Sequence, residues 1–346
     1  IGDSVMNSKD HVWVVILAAG EGKRVSDLTC DGWGRPAPKQ YASIDGQTTL
    51  LGTAQERARR IAPPERIVGV VAPQHQRWWA RELVEMPPEN VIAQPENRGT
   101  AAGILLPLVW ITRHDPDAVV VILPSDHEVA REKTLHTALT DAIARVALLE
   151  AGLVLLGMEP EGPEPDYGWI VPAAGGSGPL RSVVSFREKP DASTTAALLR
   201  QGALLNSFIL VASGGFLLDL FETALPKLWR SFQPVLNGTG NRARMEQEAA
   251  HIYQSVPSFD FSKDVLEQVA DKLWVYPVPS CGWLDLGTPE RLTRHLIEHG
   301  QVIPGGPGAA RPLPSEPGAH DGVRRSPQYR DAVEPAAGIK THAGAS

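Results

Sequence analysis

The run Val12-Trp13-Val14-Val15-Ile16-Leu17, followed by Ala18-Ala19-Gly20-Glu21-Gly22-Lys23-Arg24, narrows the choice of fold more than any other stretch of this chain. A continuous apolar run rich in β-branched and aromatic side chains predicts a strand covered on both faces, as in a parallel sheet flanked by helices. The small residues that follow clear side chains from a turn at the strand's carboxyl end. Backbone N–H groups there can approach an anion, with Lys23 and Arg24 beside it. Two familiar phosphate loops are excluded on residues. A Walker A motif needs Gly where Leu17 stands and Ser or Thr where Arg24 stands. A dinucleotide fingerprint needs its third Gly where Val25 stands. A plain structural turn with solvated cations stays open as the alternative.

Downstream, strand-like and helix-like segments alternate. Helical spacing of apolar residues predicts helices over 50–61, 74–84, 100–112 and 131–149. Short Val/Ile/Leu runs predict strands over 66–72, 91–93, 118–123 and 153–158. This alternation implies βαβ units and a largely parallel sheet, whose ligands sit at the carboxyl ends of the strands. From Gly162 the texture changes: strands are expected at 167–171, 181–187, 204–211 and 273–278, with short helices between the first three. Helices are expected at 242–253, 265–270 and 288–298, the last opened by Pro289. These segments read as a mixed-sheet extension closing over the site. The expected organisation is an N-terminal segment 1–11, a main domain 12–300 (a first part 12–160, and a second part 161–300 with the last helices), and a disordered Gly/Pro/Ala-rich tail 301–346. No internal repeat is present, and no hexapeptide β-helix is expected.

Composition limits the function classes. The chain has 346 residues with 33 Lys and Arg against 40 Asp and Glu, a net charge of −7, so nothing global favours nucleic acid or an anionic membrane. Two cysteines, Cys30 and Cys281, exclude a disulfide scaffold and a cysteine-rich zinc site, and fit a reducing cytoplasm. No apolar run approaches the ~20 residues of a membrane span, and residues 1–10 show no signal-peptide h-region.

Five further clusters can carry chemistry. Lys39, in Pro38-Lys39-Gln40, can reach back to a phosphate held by the loop, or can be a surface lysine. Gln94-Pro95-Glu96-Asn97-Arg98-Gly99-Thr100 opens a helix, and its polar groups can read a nucleobase edge. The alternative is that Asn97 or Thr100 caps the helix. Asp126, in Pro124-Ser125-Asp126-His127, lies one step past the most apolar strand and can hold Mg²⁺ with substrate phosphates, or cap a turn. His127 has no evident partner and reads as structural. Glu188-Lys189-Pro190-Asp191 ends a strand; its carboxylate can bind sugar hydroxyls and Lys189 a sugar's phosphate. Asp285, in Trp283-Leu284-Asp285-Leu286-Gly287-Thr288, offers Mg²⁺ a second carboxylate, or caps the last helix.

Each cluster alone is weak, but their conjunction and order are not. From about Val12 to Leu296 the chain resembles the sugar-1-phosphate nucleotidyltransferases, and among them the mannose-1-phosphate guanylyltransferases. The family loop Leu-Ala-Gly-Gly-x-Gly-Thr-Arg-Leu is matched by Leu17 to Val25, with Ala at position 19. Pro38-Lys39-Gln40 matches its Pro-Lys-Gln. Leu123-Pro124-Ser125-Asp126-His127 matches the guanylyltransferase form closely. Asp166-Tyr167-Gly168-Trp169-Ile170, Phe186-Arg187-Glu188-Lys189-Pro190-Asp191, Asn206-Ser207-Phe208-Ile209-Leu210 and Trp283-Leu284-Asp285-Leu286-Gly287 resemble its remaining motifs. Three residues depart. Gln94 stands for Glu and Gly99 for Asn in the base-side segment, and Gln-Pro there resembles the thymidylyl relatives. Phe208 stands for Gly beside the sugar subsite.

The resemblance implies a nucleotide-diphospho-sugar transferase fold: α/β, a Rossmann-like mixed and mainly parallel sheet flanked by helices, with a small mixed-sheet sugar-binding extension. It implies transfer from an NTP, GTP favoured, to a hexose 1-phosphate, mannose 1-phosphate favoured, with Mg²⁺ as cofactor. Arg24, Lys39 and Asp126 are then catalytic. Leu17, Ala18, Ala19, Gly20, Gly22, Lys23, Arg24, Gln94, Asn97, Gly99 and Thr100 bind nucleotide. Gly168, Glu188, Lys189 and Asn206 bind the sugar phosphate, and Asp126 and Asp285 hold the metal. No cupin-type isomerase domain is seen, so one activity is expected, in the cytoplasm, without nucleic acid or membrane; a homodimer is compatible. The rival readings are a dTTP- or UTP-dependent glucose-1-phosphate enzyme and a non-catalytic nucleotide-sugar-binding homologue. A third rival is a glycosyltransferase using Asp115-Pro116-Asp117, although that string precedes the core strand and is expected at its wrong end.

Overall fold

The computed structural model describes residues 8–31, 35–148, 152–175, 178–238 and 242–299. The expected tail at 301–346 and most of the N-terminal segment lie outside them.

The strands are β1 (Val12–Ala18), β2 (Ile67–Val71), β3 (Val91–Ala93), β4 (Val119–Pro124), β5 (His127–Val129), β6 (Leu153–Met158), β7 (Gly168–Pro172), β8 (Arg181–Glu188), β9 (Leu204–Ser213), β10 (Leu273–Pro277) and β11 (Trp283–Asp285). The helices are α1 (Leu50–Arg59), α2 (Gln76–Glu82), α3 (Gly99–His114), α4 (Glu132–Leu148), α5 (Ala192–Arg200), α6 (Gly214–Ala224), α7 (Pro226–Asn237), α8 (Arg242–Ser255), α9 (Phe261–Asp264) and α10 (Pro289–Glu298).

Nine strands form one mixed sheet in the order β3-β2-β1-β4-β9-β6-β10-β8-β7. The four strands from β3 to β4 are parallel, with Ile16 of β1 opposite Leu123 of β4 and Gly69 of β2. Alternation along β1 divides the core. Trp13 and Val15 face a layer that includes α3, α6, α7 and α8, while Val14, Ile16 and Ala18 face α1 and α4. Burial on both faces is why the strand reads as an unbroken apolar run.

The extension is mixed and continuous with this sheet: β10 runs parallel to β6, and β7 and β8 pair antiparallel. β9 inserts between β4 and β6 and pairs antiparallel with both, and it also pairs with β7. The expected nucleotide-binding and sugar-binding parts therefore share one sheet. The helix expected at 265–270 is a 3₁₀ segment, Leu266–Lys272, kinked at Val269. The sequence reading did not place α6 and α7, nor the two-stranded ribbon of β5 with β11. The ribbon sets Asp285 directly opposite His127.

Thr288 caps α10 by accepting the Arg291 N–H at 3.3 Å. Leu292 and Leu296 of that helix pack with Val25, Leu50 and Leu286 in a small separate core. Val25 lies in the 3₁₀ helix Lys23–Leu28, so α10 props the glycine loop.

Candidate functional site

The loop after β1 is held open by side chains that replace its missing backbone partners. Gln40 donates its amide to the carbonyls of Ala18 (3.0 Å) and Gly20 (2.8 Å). The Ser125 hydroxyl donates to Leu17 O at 2.6 Å, tying the end of β4 to the end of β1. Gly22 turns with φ of 61°, and a Cβ there would sit 2.8 Å from the Lys39 backbone nitrogen. Only glycine lets the loop lie this close to Lys39.

Lys39 is 3% exposed. Its Nζ donates to Asp285 Oδ1 at 2.6 Å and pairs with Asp126 Oδ2 at 3.1 Å. Thr288, not Asp285, caps α10, so this carboxylate is left to face the lysine. Burial raises the Asp285 pKa, but Lys39 first, then His127 and Arg291, outweigh it and hold the group down at about 2. His127 closes the cluster, with Nε2 3.8 Å from Asp126 Oδ1 and 3.9 Å from Asp285 Oδ1. Its Nδ1 accepts from the Trp283 indole at 3.2 Å, which puts the imidazole proton on Nε2. Burial lowers the His127 pKa, against the pull of Asp126 and Asp285. His127 thus has the partners that the sequence did not show.

Beside this cluster is a cavity of about 430 Å³. Leu17, Ala19, Gly20, Gln94, Asn97, Gly99, Thr100 and Asp126 line it, together with Gln40, Ser125, His127, Phe208 and Asp260. Eight expected residues from three separate clusters therefore meet. Lys23 and Arg24 do not line this cavity; both are exposed, and Lys23 pairs with Glu21 at 2.5 Å. Gln94 is buried, and its Nε2 has no hydrogen-bond partner among the described residues. Gly103 of α3 lies beside it and also lines the cavity. Asn97 accepts from the Gly99 N–H at 3.0 Å, and Thr100 accepts from the Phe261 N–H at 2.7 Å. Neither residue is the formal cap of α3, which is Arg98.

Gly168, Glu188 and Asn206 also converge. Gly168 pairs with Glu188 across β7 and β8, and a Cβ on it would lie 2.6 Å from Glu188 Oε2 and 3.2 Å from the Asn206 Cβ. Burial pushes the Glu188 pKa up to about 6, against the pull of Lys189, whose Nζ is 3.5 Å away. Asp260 raises it further, and Asp260 also lines the cavity, so the two subsites adjoin. Phe208 adopts φ of 58°, a conformation that favours glycine, and its N–H donates to Asn206 Oδ1 at 3.1 Å. The Phe-for-Gly departure therefore falls where the backbone asks for glycine and where the side chain enters the cavity.

Asp115 is held by Trp13 Nε1 at 2.9 Å and His11 Nδ1 at 2.8 Å, and it precedes β4. It lies at the opposite end of that strand from Asp126, as expected. Sequence reasoning missed Gln40, Ser125, Asp260 and Arg291 as site residues. Arg291 stacks over Tyr167 with 4.5 Å to the ring centroid and lies 3.8 Å from Asp285 Oδ2. Among the described residues no helix is long and apolar enough to cross a membrane.

Comparison with known proteins is consistent with this geometry. The profile of the family described as "Nucleotidyl transferase" matches residues 13–298. The xanthan biosynthesis protein XanB of Xanthomonas campestris pv. campestris (strain B100) is 28% identical over 291 residues, covering 83% of this chain and 60% of XanB. The mannose-1-phosphate guanylyltransferase ManC of Salmonella typhimurium is 28% identical over 313 residues, covering 84% of this chain and 62% of ManC. The chain thus spans about 60% of the length of these relatives. A solved structure described as mannose-1-phosphate geranyltransferase from Thermus thermophilus superposes with a TM-score of 0.68 at 23% identity, over 80% of this chain and 76% of that one. At that identity the likeness concerns the fold.

Proposed function

The chain belongs to the nucleotidyl transferase family, and on that premise we propose that it joins an NTP, GTP by preference, to a hexose 1-phosphate, mannose 1-phosphate by preference, releasing pyrophosphate. The observation that carries this reading is the meeting of Lys39 with Asp126 and Asp285, where Asp126 lines a cavity together with the glycine loop and the start of α3. The guanylyltransferase names of relatives such as ManC support the choice of base and sugar.

A sugar phosphate is already anionic at neutral pH and needs no strong general base. The obstacle is repulsion between two polyanions and charge growing on the leaving group, so positioning and preorganised positive charge supply the catalysis. An oxygen of the sugar phosphate forms a bond to the α-phosphorus as the bond to the bridging oxygen breaks, and pyrophosphate carries the electron pair away. Lys39 faces the α-phosphoryl group, and the backbone from Ala18 to Gly22 holds the nucleotide. Arg24 and Lys23, exposed at the loop's edge, meet the pyrophosphate. Glu188, Asn206 and the bare backbone of Gly168 take the sugar hydroxyls, and Lys189 its phosphate. The carboxylate pair Asp126 and Asp285, both close to a cation in the structure, is an oxygen donor set of the kind Mg²⁺ accepts alongside phosphates. Bound there, the ion would supply charge neutralisation to the phosphates.

One observation favours a second reading of the base. Gln94 presents a buried amide rather than the family's carboxylate: a carboxylate accepts from both the N1–H and N2–H2 donors of guanine, whereas an amide, with one acceptor and one donor group, matches the N–H and carbonyl edge of a pyrimidine such as thymine. The test is a panel of GTP, dTTP, UTP, ATP and CTP against mannose 1-phosphate and glucose 1-phosphate with Mg²⁺, with products identified by mass. GDP-mannose as the dominant product supports the reading. dTDP- or UDP-glucose would move the assignment to Gln94's alternative. Binding without turnover of any pair would make the protein a silent homologue.

A further inference from the structure

We propose that Glu128, His295 and His299 form a second metal site, distinct from the Asp126–Asp285 pair, that takes a divalent transition-metal ion of the zinc class and pins α10 to the β5–β11 ribbon. His295 and His299 are one helical turn apart near the end of α10, and residues at that spacing share a face. Their rings are 4.1 Å apart, centroid to centroid. Glu128 reaches them from β5, and one ligand atom from each of the three residues falls within 4.8 Å of the others.

Two observations mark the cluster as more than neighbouring polar side chains. His295 is 6% exposed, and its Nε2 makes no hydrogen bond, although Oε2 of Glu128, itself buried and without one, is only 2.5 Å away. With a protonated ring this contact is an ion pair; with Nε2 unprotonated, its lone pair and the Glu128 oxygen together form a donor pair for a cation. Second, His299 Nδ1 contacts the carbonyl of His295 at 2.9 Å. A carbonyl only accepts, so the proton is on Nδ1 and the lone pair on Nε2, the arrangement by which a backbone carbonyl orients a ligating imidazole.

The donor set selects the ion. Two imidazoles and one carboxylate suit zinc and its neighbours, with water completing the shell, whereas Mg²⁺ prefers oxygen donors alone. Bonds of about 2.0–2.1 Å in such a site put ligand atoms ~3.4 Å apart, so His299 closes in and Glu128 and His295 open slightly. The site is on the far side of the ribbon from the chemistry. Successive side chains of a strand alternate, so Glu128 points away from the face on which its neighbour His127 meets Asp126 and Asp285. It is nevertheless coupled to that chemistry. α10 carries Arg291 beside Asp285 and packs through Leu292 and Leu296 on Val25 of the loop helix. An ion here holds the element that props the glycine loop.

The test uses the full chain, stripped with a chelator and dialysed, then titrated with Co²⁺ without nucleotide while the visible d–d absorption is followed. One equivalent is expected to bind through nitrogen and oxygen ligands and to raise the unfolding temperature. His299→Ala, at an exposed position, is expected to weaken binding by at least about tenfold while circular dichroism stays native. Glu128→Gln should do the same, and Asp126→Asn should leave the Co²⁺ spectrum intact. Absence of binding, an unchanged isotherm in His299→Ala, or loss of the spectrum in Asp126→Asn would each overturn the proposal.

Discussion

Replacing Lys39 by Met removes the charge at the centre of the site and keeps most of the stem. In the native protein Nζ lies 2.6 Å from Asp285 and 3.1 Å from Asp126, on a side chain only 4% exposed. Asp285 is held at about 2 against an ordinary 3.8, a difference worth about 2 kcal/mol of folding stability. Because the folded pKa is depressed, that stability is fully present above the unfolded value and is lost as pH falls through about 2. Burial acts the other way and is the largest single influence on Asp285. Without Lys39 the carboxylate is buried beside Asp126 with too little positive charge, so the cost exceeds the lost 2 kcal/mol. We expect Lys39→Met to lose about 3–5 kcal/mol at pH 7, as for a buried pair deprived of one partner. Millimolar Mg²⁺ should recover part of this, and should stabilise the variant more than the native protein, because it replaces the missing cation between the two acids. Turnover should fall by about 10²–10³-fold, the usual effect of losing one preorganised donor. Thermal unfolding with and without Mg²⁺, paired with a pyrophosphate-release assay, reads both effects. A variant as stable as the native protein, with unchanged turnover, would refute the reasoning.

Two further outcomes follow from the sugar side of the site. Burial holds Glu188 at about 6 against an ordinary 4.5, so ionising it costs the folded state up to about 2 kcal/mol. Glu188→Gln should therefore be the more stable protein at pH 8 and equal to the native one at pH 4. It should also raise KM for the sugar phosphate and abolish an inflection near pH 6 in kcat/KM; identical pH–stability curves would contradict the burial of this charge. Phe208→Gly should change stability by less than about 1 kcal/mol, because relief of the left-handed backbone (about 1–2 kcal/mol) offsets the lost contact with Phe261. The same variant should accept a wider range of sugar 1-phosphates. A loss above about 3 kcal/mol would show that the Phe208 side chain is a structural pillar instead.

What could be read beforehand follows from how far each signal reaches along the chain. β1, β6, α1 and α4 were legible because a buried face repeats over enough residues to show its period. Lys39, Asp126 and Asp285 were named singly, but nothing local could say that Lys39 Nζ lies between two acids 87 and 246 positions away. The β5–β11 ribbon that brings Asp285 to His127 has three residues in each strand, too few for a period. β9 reads as a strand, yet its place between β4 and β6 is set by pairing across the fold. His127 looked partnerless because its partners, Asp126 apart, are at positions 283 and 285. Arg24 is exposed and does not line the cavity, a placement that the motif string does not contain.

The proposed single in-line transfer in the cavity beside Lys39 leaves its record in the configuration of the α-phosphorus. With a P-chiral α-thio analogue of the preferred triphosphate and a sugar 1-phosphate, ³¹P NMR should show one pyrophosphate per nucleotide sugar, with the configuration at phosphorus inverted. Retention of configuration, or pyrophosphate released without the sugar phosphate, would contradict it.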